Sequence, residues 1–159
     1  MAEYAFSPVQ TVQPNQPVIL DTVVPCNKGY VYHRNMSGIL VLKGAVSGSG
    51  CFARYQVTFN GNIAIPDGGT APAGISVALA IDGEPILTSR AIVTPAETAD
   101  DPPTQENFFN VTSTAIITVP KCCCFNVAVE NTSESANPAT MPAPAILVRD
   151  ANLTVSRIA

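Results

Sequence analysis

The residues of this sequence best suited to chemistry are its cysteines, three of which, Cys122, Cys123 and Cys124, are adjacent. Neighbouring residues of a β-strand point to opposite faces, so three adjacent thiols do not converge on one tetrahedral metal ion. On the strand expected here, Cys123 shares the inner face with Phe125, and the other two thiols lie on the opposite face. Because no CxxC pair accompanies the triplet, we predict small structural side chains rather than zinc ligands.

His33 is the only histidine, so any Cys–His or Ser–His catalysis would have to use it. It lies in a strand-like segment, and the sequence has no Gly-x-Ser-x-Gly elbow to present a nucleophilic serine. Residues 95–106 carry four acidic side chains but lack the glycine and the alternating oxygen ligands of a calcium-binding loop. The sequence therefore predicts a structural histidine, no metal site, no cofactor and no enzyme.

Charge is scarce in this chain of 159 residues. Only 13% of the residues are charged, whereas soluble domains average about 25%. Surfaces that meet other proteins are depleted of charge at their centre, so we expect extensive self-association. The alternative is a hydrated surface rich in Thr, Ser, Asn and Gln. With a net charge of −4 and no basic cluster, nucleic acid is not an expected partner.

The cellular compartment is predicted from the N-terminus and the cysteines. The first residues lack the basic and apolar regions of a signal peptide, and the apolar runs are too short to span a bilayer. We therefore expect a protein made in a cytoplasm and not bound to a membrane. An odd number of cysteines, five, fits that compartment better than a disulfide framework does.

Alternation of apolar and polar residues recurs through residues 18–159, interrupted by Gly, Pro, Asn and Asp. This pattern predicts about eight to ten short strands and an all-β, antiparallel fold. Asp82-Gly83 is the strongest hairpin signal, because a type I′ turn needs positive φ at both central positions. On one strand the side chains expected to face inward are Ala53, Tyr55, Val57 and Phe59.

Residues 1–17 show little of this alternation and contain several prolines. They are predicted to form an extended N-terminal arm, separate from the domain of residues 18–159. Extended segments can bind by adding a strand to the sheet edge of a neighbour. Deleting the arm is then expected to abolish docking while the domain stays folded. The residues assigned to docking are Pro8, Val9, Val12 and Pro14.

The order of the segments resembles the C1q/TNF-like jelly roll. The segments that carry the resemblance are Val18–Asp21, Tyr32–Leu42, Phe52–Val57, Val77–Ile86, Phe125–Asn131 and Ala151–Val155. The likeness covers residues 18–159. It departs from the family at Gly50-Cys51-Phe52, where the third strand of the family usually opens with Gly-x-Tyr.

The resemblance implies a jelly-roll sandwich that packs as a homotrimer around a three-fold axis, without catalytic residues. Phe52, Tyr55 and Phe108 are then expected in the core or at the trimer interface. Similar modules occur in phage virion proteins and in bacterial spore-surface proteins. The resemblance thus implies a function in one of these two settings.

We expect a phage capsid decoration protein on the virion surface, docked through its base and arm on the major capsid protein or other virion proteins. The absence of a collagen-like or coiled-coil stalk favours this hypothesis. The alternative is a receptor- or glycan-binding tip of a tail fibre or spore-surface filament. In that case the loops 66–74, 95–106 and 137–144 would contact the host.

Overall fold

The computed structural model describes residues 1–24, 29–34, 36–45, 50–66, 74–95, 108–135 and 137–159. In these residues the regular secondary structure is β-strand, apart from one short 3-10 turn. The strands are β1 (Ala2–Phe6), β2 (Gln10–Val12), β3 (Thr22–Val24), β4 (Val31–His33), β5 (Leu40–Lys43), β6 (Phe52–Ala64), β7 (Ile75–Ile81), β8 (Glu84–Pro85), β9 (Ala91–Val93), β10 (Phe109–Pro120), β11 (Cys124–Asn131) and β12 (Ile146–Arg157). One 3-10 turn, Leu87–Ser89, precedes β9.

The strands form two antiparallel sheets. Sheet A has the order β10-β6-β12-β1-β3, with β2 also paired to β12. Sheet B has the order β4-β5-β11-β7-β8, with β9 also paired to β7. Most neighbours within a sheet are distant in sequence, as in a jelly roll, in which successive strands alternate between the two sheets. The predicted all-β, antiparallel jelly-roll sandwich is confirmed.

The core lies between the sheets, and β6 shows why it forms there. Strict alternation along this long strand places one set of side chains in the core and the other in solvent. The four residues predicted to face inward are all fully buried, namely Ala53, Tyr55, Val57 and Phe59. β10 pairs with β6 along twelve consecutive residues, so its alternation is held in the same register.

The predicted hairpin at Asp82-Gly83 is also confirmed. Both residues have positive φ, 52° and 86°, as the turn between β7 and β8 requires. The Asp82 carboxylate adds a second function, because one of its oxygens accepts hydrogen bonds from the Asn126 backbone N (3.0 Å) and Nδ2 (2.8 Å). The turn is thereby tied to β11 in the middle of sheet B.

Residues 1–17 are part of the sandwich, which corrects the prediction of a separate arm. β1 pairs with β12 on one side and with β3 on the other. Its Tyr4 is fully buried, with the ring centroid 4.9 Å from that of His33. The prolines misled the prediction, because all three lie outside the two strands and interrupt neither: Pro8 lies between β1 and β2, and Pro14 and Pro17 follow β2.

Replacing Tyr4 with alanine is expected to lower the free energy of unfolding by about 3–5 kcal/mol, because the substitution empties a fully buried aromatic site. Val9→Ala is the matched control, since Val9 belongs to the same segment but is 50% exposed. Denaturant unfolding of both variants measures the difference. Equal midpoints would contradict the inclusion of β1 in the core.

Candidate assembly surface

The outer face of sheet A is built by the alternate side chains of its three long strands. Eleven residues of β10, β6 and β12 form its centre, and none of them is charged. They are Asn110, Thr112, Thr114 and Ile116 of β10; Gln56, Thr58, Asn60 and Asn62 of β6; and Asn152, Thr154 and Ser156 of β12. We call this set the assembly face.

Cross-strand pairing orders the assembly face, because residues directly opposite each other lie in side-chain contact. Thr114 Oγ1 donates to Thr58 Oγ1 at 3.2 Å. Asn60 Nδ2 donates to Thr112 Oγ1 at 2.9 Å, and Asn110 Nδ2 to Asn60 Oδ1 at 3.2 Å. The polar groups on β6 and β10 therefore hydrogen-bond to one another, which fixes their side chains and lowers the entropy cost of covering them.

Charged residues lie at the margins of the assembly face. Arg149 is opposite Asn62 at one end, and Arg54 lies two residues before Gln56 on the same side of β6 at the other. On β1, Glu3 is opposite Thr154 and accepts a hydrogen bond from Asn152 Nδ2. An uncharged centre within a charged margin is the distribution found in protein–protein interfaces.

Two solved structures similar to this chain identify the architecture. The Eiger TNF from S. frugiperda superposes with a TM-score of 0.64 at 13% identity, over 100% of this chain and 92% of that one. The globular domain of zebrafish complement 1qA superposes with a TM-score of 0.52 at 14% identity, over 96% and 94% of the two chains. The fold is the C1q/TNF-like jelly roll. No family model and no curated protein matches the sequence.

Tyr55, predicted at the core or the trimer interface, lies in the core of this jelly roll. Its hydroxyl donates a hydrogen bond to the Lys43 carbonyl at 2.5 Å. Burial raises the pKa of Tyr55 above its ordinary value, Arg157 opposes that shift and Tyr30 adds to it. The ring thus links the start of β6 to the end of β5 across the two sheets.

Phe52 and Phe108 lie at opposite ends of sheet A and not in the core. Phe52 is 44% exposed beside Arg54, whose guanidinium lies 5.6 Å from the ring centroid. Phe108 precedes β10, and the Arg149 guanidinium stacks 3.9 Å from its ring centroid. Both rings therefore border the assembly face, and their contact with a second copy stays a prediction.

The four residues assigned to arm docking have different surroundings. Pro8 and Val9 are exposed in the loop between β1 and β2, and Pro14 is half-buried. Val12 faces the core and is 3% exposed, because β2 pairs with β12. Val12 therefore cannot contact a partner, whereas the exposed loop can.

The cysteine triplet spans the turn before β11 and the first residue of that strand, which corrects its predicted arrangement within one strand. Cys122 has a φ of 62° in the turn between β10 and β11, and the backbone alternation expected there does not exist. Cys122, Cys123, Cys124 and Cys51 are all free and exposed, so none is a core filler. Cys26 lies outside the described residues.

His33 has the structural role predicted for it. It is 8% exposed at the end of β4, and its Nε2 lies 2.8 Å from the Ser37 carbonyl oxygen, to which it donates.

Where the structure describes the chain, it places no three His, Cys, Asp or Glu side chains so that they could hold a metal ion. Most of the acidic segment 95–106 is outside the described residues. No helix of the described part is long and apolar enough to cross a membrane.

The assembly face was not singled out from the sequence, although a signal for it exists. Uncharged polar residues occupy positions 110, 112 and 114 of β10, and positions 56, 58, 60 and 62 of β6. Exposed faces of sheets normally include Lys and Glu, so two matched runs without either indicate a covered face. The signal becomes readable only when the pairing of β10 with β6 is known.

Glu130 on β11 is a carboxylate held in unusual surroundings, on the outer side of sheet B. It is 7% exposed and lies opposite Ala78 of β7. Burial raises its pKa above the ordinary value of 4.5, and the nearby Glu84 raises it further. Since the folded state binds this proton more tightly than the unfolded chain, ionisation of Glu130 destabilises the fold.

Glu130→Gln is therefore expected to stabilise the protein at pH 7. The favourable contribution of the protonated Glu130 to stability is fully present below pH 4.5. It is lost as the pH rises through the raised pKa, so the wild type and the Glu130→Gln variant should converge in stability at low pH. Thermal unfolding from pH 4 to pH 8 measures the difference. The variant Asp21→Asn, at an exposed position, is the control. A stability difference between Glu130→Gln and the wild type that stays constant from pH 4 to pH 8 would contradict the raised pKa of Glu130.

Proposed function

We propose that this chain is a structural subunit that assembles as a homotrimer through the assembly face, and that it binds rather than catalyses. The observation that carries the proposal is the charge-free centre of that face within its charged margin. Interspersed charged side chains normally prevent the exposed sheet faces of soluble monomers from associating with one another. This face lacks them and instead displays ordered Thr and Asn side chains.

A second surface is suited to contact the assembly face of a neighbouring copy. β10 is the edge strand of sheet A, and the 3-10 turn lies beside it, where Ser113 Oγ donates to the Ser89 carbonyl at 2.5 Å. Leu87 of the 3-10 turn and Ile92 of β9, which lies beside β10, are exposed at 71% and 58%. Contact between this edge and the face of the next copy is heterologous, and such contacts close into rings. The C1q/TNF-like fold, whose domains typically form homotrimers, supports three copies.

We further propose that the trimer decorates a virion shell. The support is the resemblance to modules found in phage virions, together with the low charge of the chain. Because β1 and β2 belong to the sandwich, docking would use the exposed loop of Pro8 and Val9 and the adjoining end of the trimer. Three weak contacts made together give a trimer far higher avidity than one subunit has.

Thr114→Arg is expected to convert the trimer into a monomer. The substitution places an unpaired cation at the centre of the assembly face, which is costly once water is excluded. Thr114 is exposed in the isolated chain, so the monomer should still fold. Light scattering measures the mass, and circular dichroism checks the fold. Thr140→Arg, in the exposed turn after residue 137, is the control and should keep the trimeric mass.

A wild-type mass of one chain would overturn the trimer. A trimeric mass in the Thr114→Arg variant would instead show that the copies meet elsewhere. The mass of the wild type thus tests whether the chain forms a trimer, and the mass of the variant tests whether the assembly face is the surface used.

Empty phage shells are expected to retain the wild-type trimer in a co-sedimentation experiment and to bind the monomeric Thr114→Arg variant at least about 100-fold more weakly, because avidity is lost. A variant with Pro8 and Val9 both changed to aspartate tests the docking loop within an intact trimer. If the trimer leaves the shells unoccupied and binds cells or glycans instead, the decoration proposal fails and the tip alternative replaces it.

A further inference from the structure

The four exposed cysteines of the described chain lie at one end of the sandwich, and we call them the thiol tip. Cys51 immediately precedes β6, Cys122 and Cys123 lie between β10 and β11, and Cys124 begins β11. The Lys121 backbone N donates to the Cys51 carbonyl at 2.9 Å. This bond extends the β6–β10 ladder by one residue beyond the last pair, Phe52 with Pro120. Cys51 is thus beside the turn that holds Cys122 and Cys123.

The backbone determines which of these thiols can pair. Adjacent residues have Cα atoms about 3.8 Å apart, which is shorter than the roughly 4.4–6.8 Å that an unstrained disulfide spans. Bonds between neighbours within the triplet are therefore strained. Cys122 is one residue beyond the position opposite Cys51, which for strands about 4.8 Å apart with a rise of about 3.4 Å gives a separation near 6 Å. Of the three thiols of the triplet, Cys122 is therefore the nearest in register to Cys51.

Cys122 also has a backbone conformation that is unusual for cysteine. Its φ of 62° lies in the left-handed region, which glycine or asparagine normally occupies. The surrounding hydrogen bonds hold it there, since the Cys122 N donates to the Ala45 carbonyl at 3.2 Å and the Cys123 N to the Pro120 carbonyl at 3.1 Å. The positive φ takes the Cys122 side chain out of the alternation of β10 and leaves it exposed.

Positive charge adjoins the thiol tip. Lys43 of β5 is directly opposite Cys124 of β11, and Lys121 precedes Cys122 in the chain. Cationic side chains attract anionic reagents. Oxidised glutathione, the common small disulfide, is such an anion.

We propose that the thiol tip is a thiol–disulfide exchange site, at which Cys51 and Cys122 form an intrachain disulfide on reaction with a small anionic disulfide. The Cys122 thiolate attacks one sulfur of the reagent, forming a mixed disulfide and releasing one small thiol. The Cys51 thiolate then attacks the Cys122 sulfur and releases the second. Two protein thiols lose two electrons and two protons, and the reagent gains both as two thiols.

The new bond would join the start of β6 to the end of β10. It would close a loop of about 70 residues in the unfolded chain, and loops of this length give the larger disulfide stabilisations, so the melting temperature should rise by about 10 °C. In a reducing cytoplasm the thiols stay apart, and outside the cell the bond can form. The inference does not depend on the proposed function.

The test uses the full-length chain, reduced, freed of reductant and incubated with oxidised glutathione. Trypsin separates Cys51, in residues 44–54, from the triplet, in residues 122–149, so a disulfide between these peptides is identified by mass. We expect this linkage, a loss of two hydrogen atoms from the intact chain and the raised melting temperature. Cys124→Ser should retain all three properties. Cys51→Ser and Cys122→Ser should lose all three properties. Cys51→Ser, which still has the attacking thiol, should keep a bound glutathione.

Three results would overturn the proposal: glutathione adducts without the linkage, bonds between copies, or a linkage that persists in Cys122→Ser. Circular dichroism of the reduced variants shows whether each one folds. Because the three serines replace exposed thiols, the reduced variants should have the same melting temperature as the reduced wild type. The comparison is therefore independent of folding defects.

Discussion

The alternation of side chains along β6, held between β10 and β12, is the constraint on which the structure depends. A shift of one residue in either pairing would move Tyr55 and Phe59 out of the core and bring Arg54 and Gln56 into it. The long ladders on both sides oppose such a shift. The same register that fills the core also aligns the Thr and Asn residues on the opposite side. The hydrophobic core and the assembly face are thus two faces of one sheet, and neither can change without the other.

The sequence predicts this part of the fold well because its signals are local. The inward residues of β6 and the Asp82-Gly83 turn both follow from patterns within about ten residues. Residues 1–17 were predicted incorrectly, because the burial of Tyr4 depends on β12, at the other end of the chain. The cysteine turn was missed because nothing local distinguishes Cys122 from a strand residue. Its conformation follows from hydrogen bonds to Ala45 and Pro120.

For the candidate site, too, the sequence predicts what local patterns determine and misses what depends on distant pairings. The scarcity of charge predicts that some surface is covered, but composition cannot locate that surface. Its position follows from which strands pair, and those pairings join residues about 50 positions apart, such as Asn60 with Asn110. Aromatic residues likewise did not locate the assembly face. Tyr55 is in the core, and the two phenylalanines border a face that consists mostly of small polar side chains.

The pairing of β1 with β12 has a consequence for how the chain folds during synthesis. β1 can pair with β3 early in synthesis, whereas its other neighbour, β12, is made much later. Sheet A therefore cannot be completed until β12 has left the ribosome. Until then the edges of β1 and β6 that pair with β12 stay open. Folds dominated by such distant pairings form slowly and are vulnerable to aggregation in the interval. The pairing of β12 with β1 and β6 is therefore the step that completes sheet A.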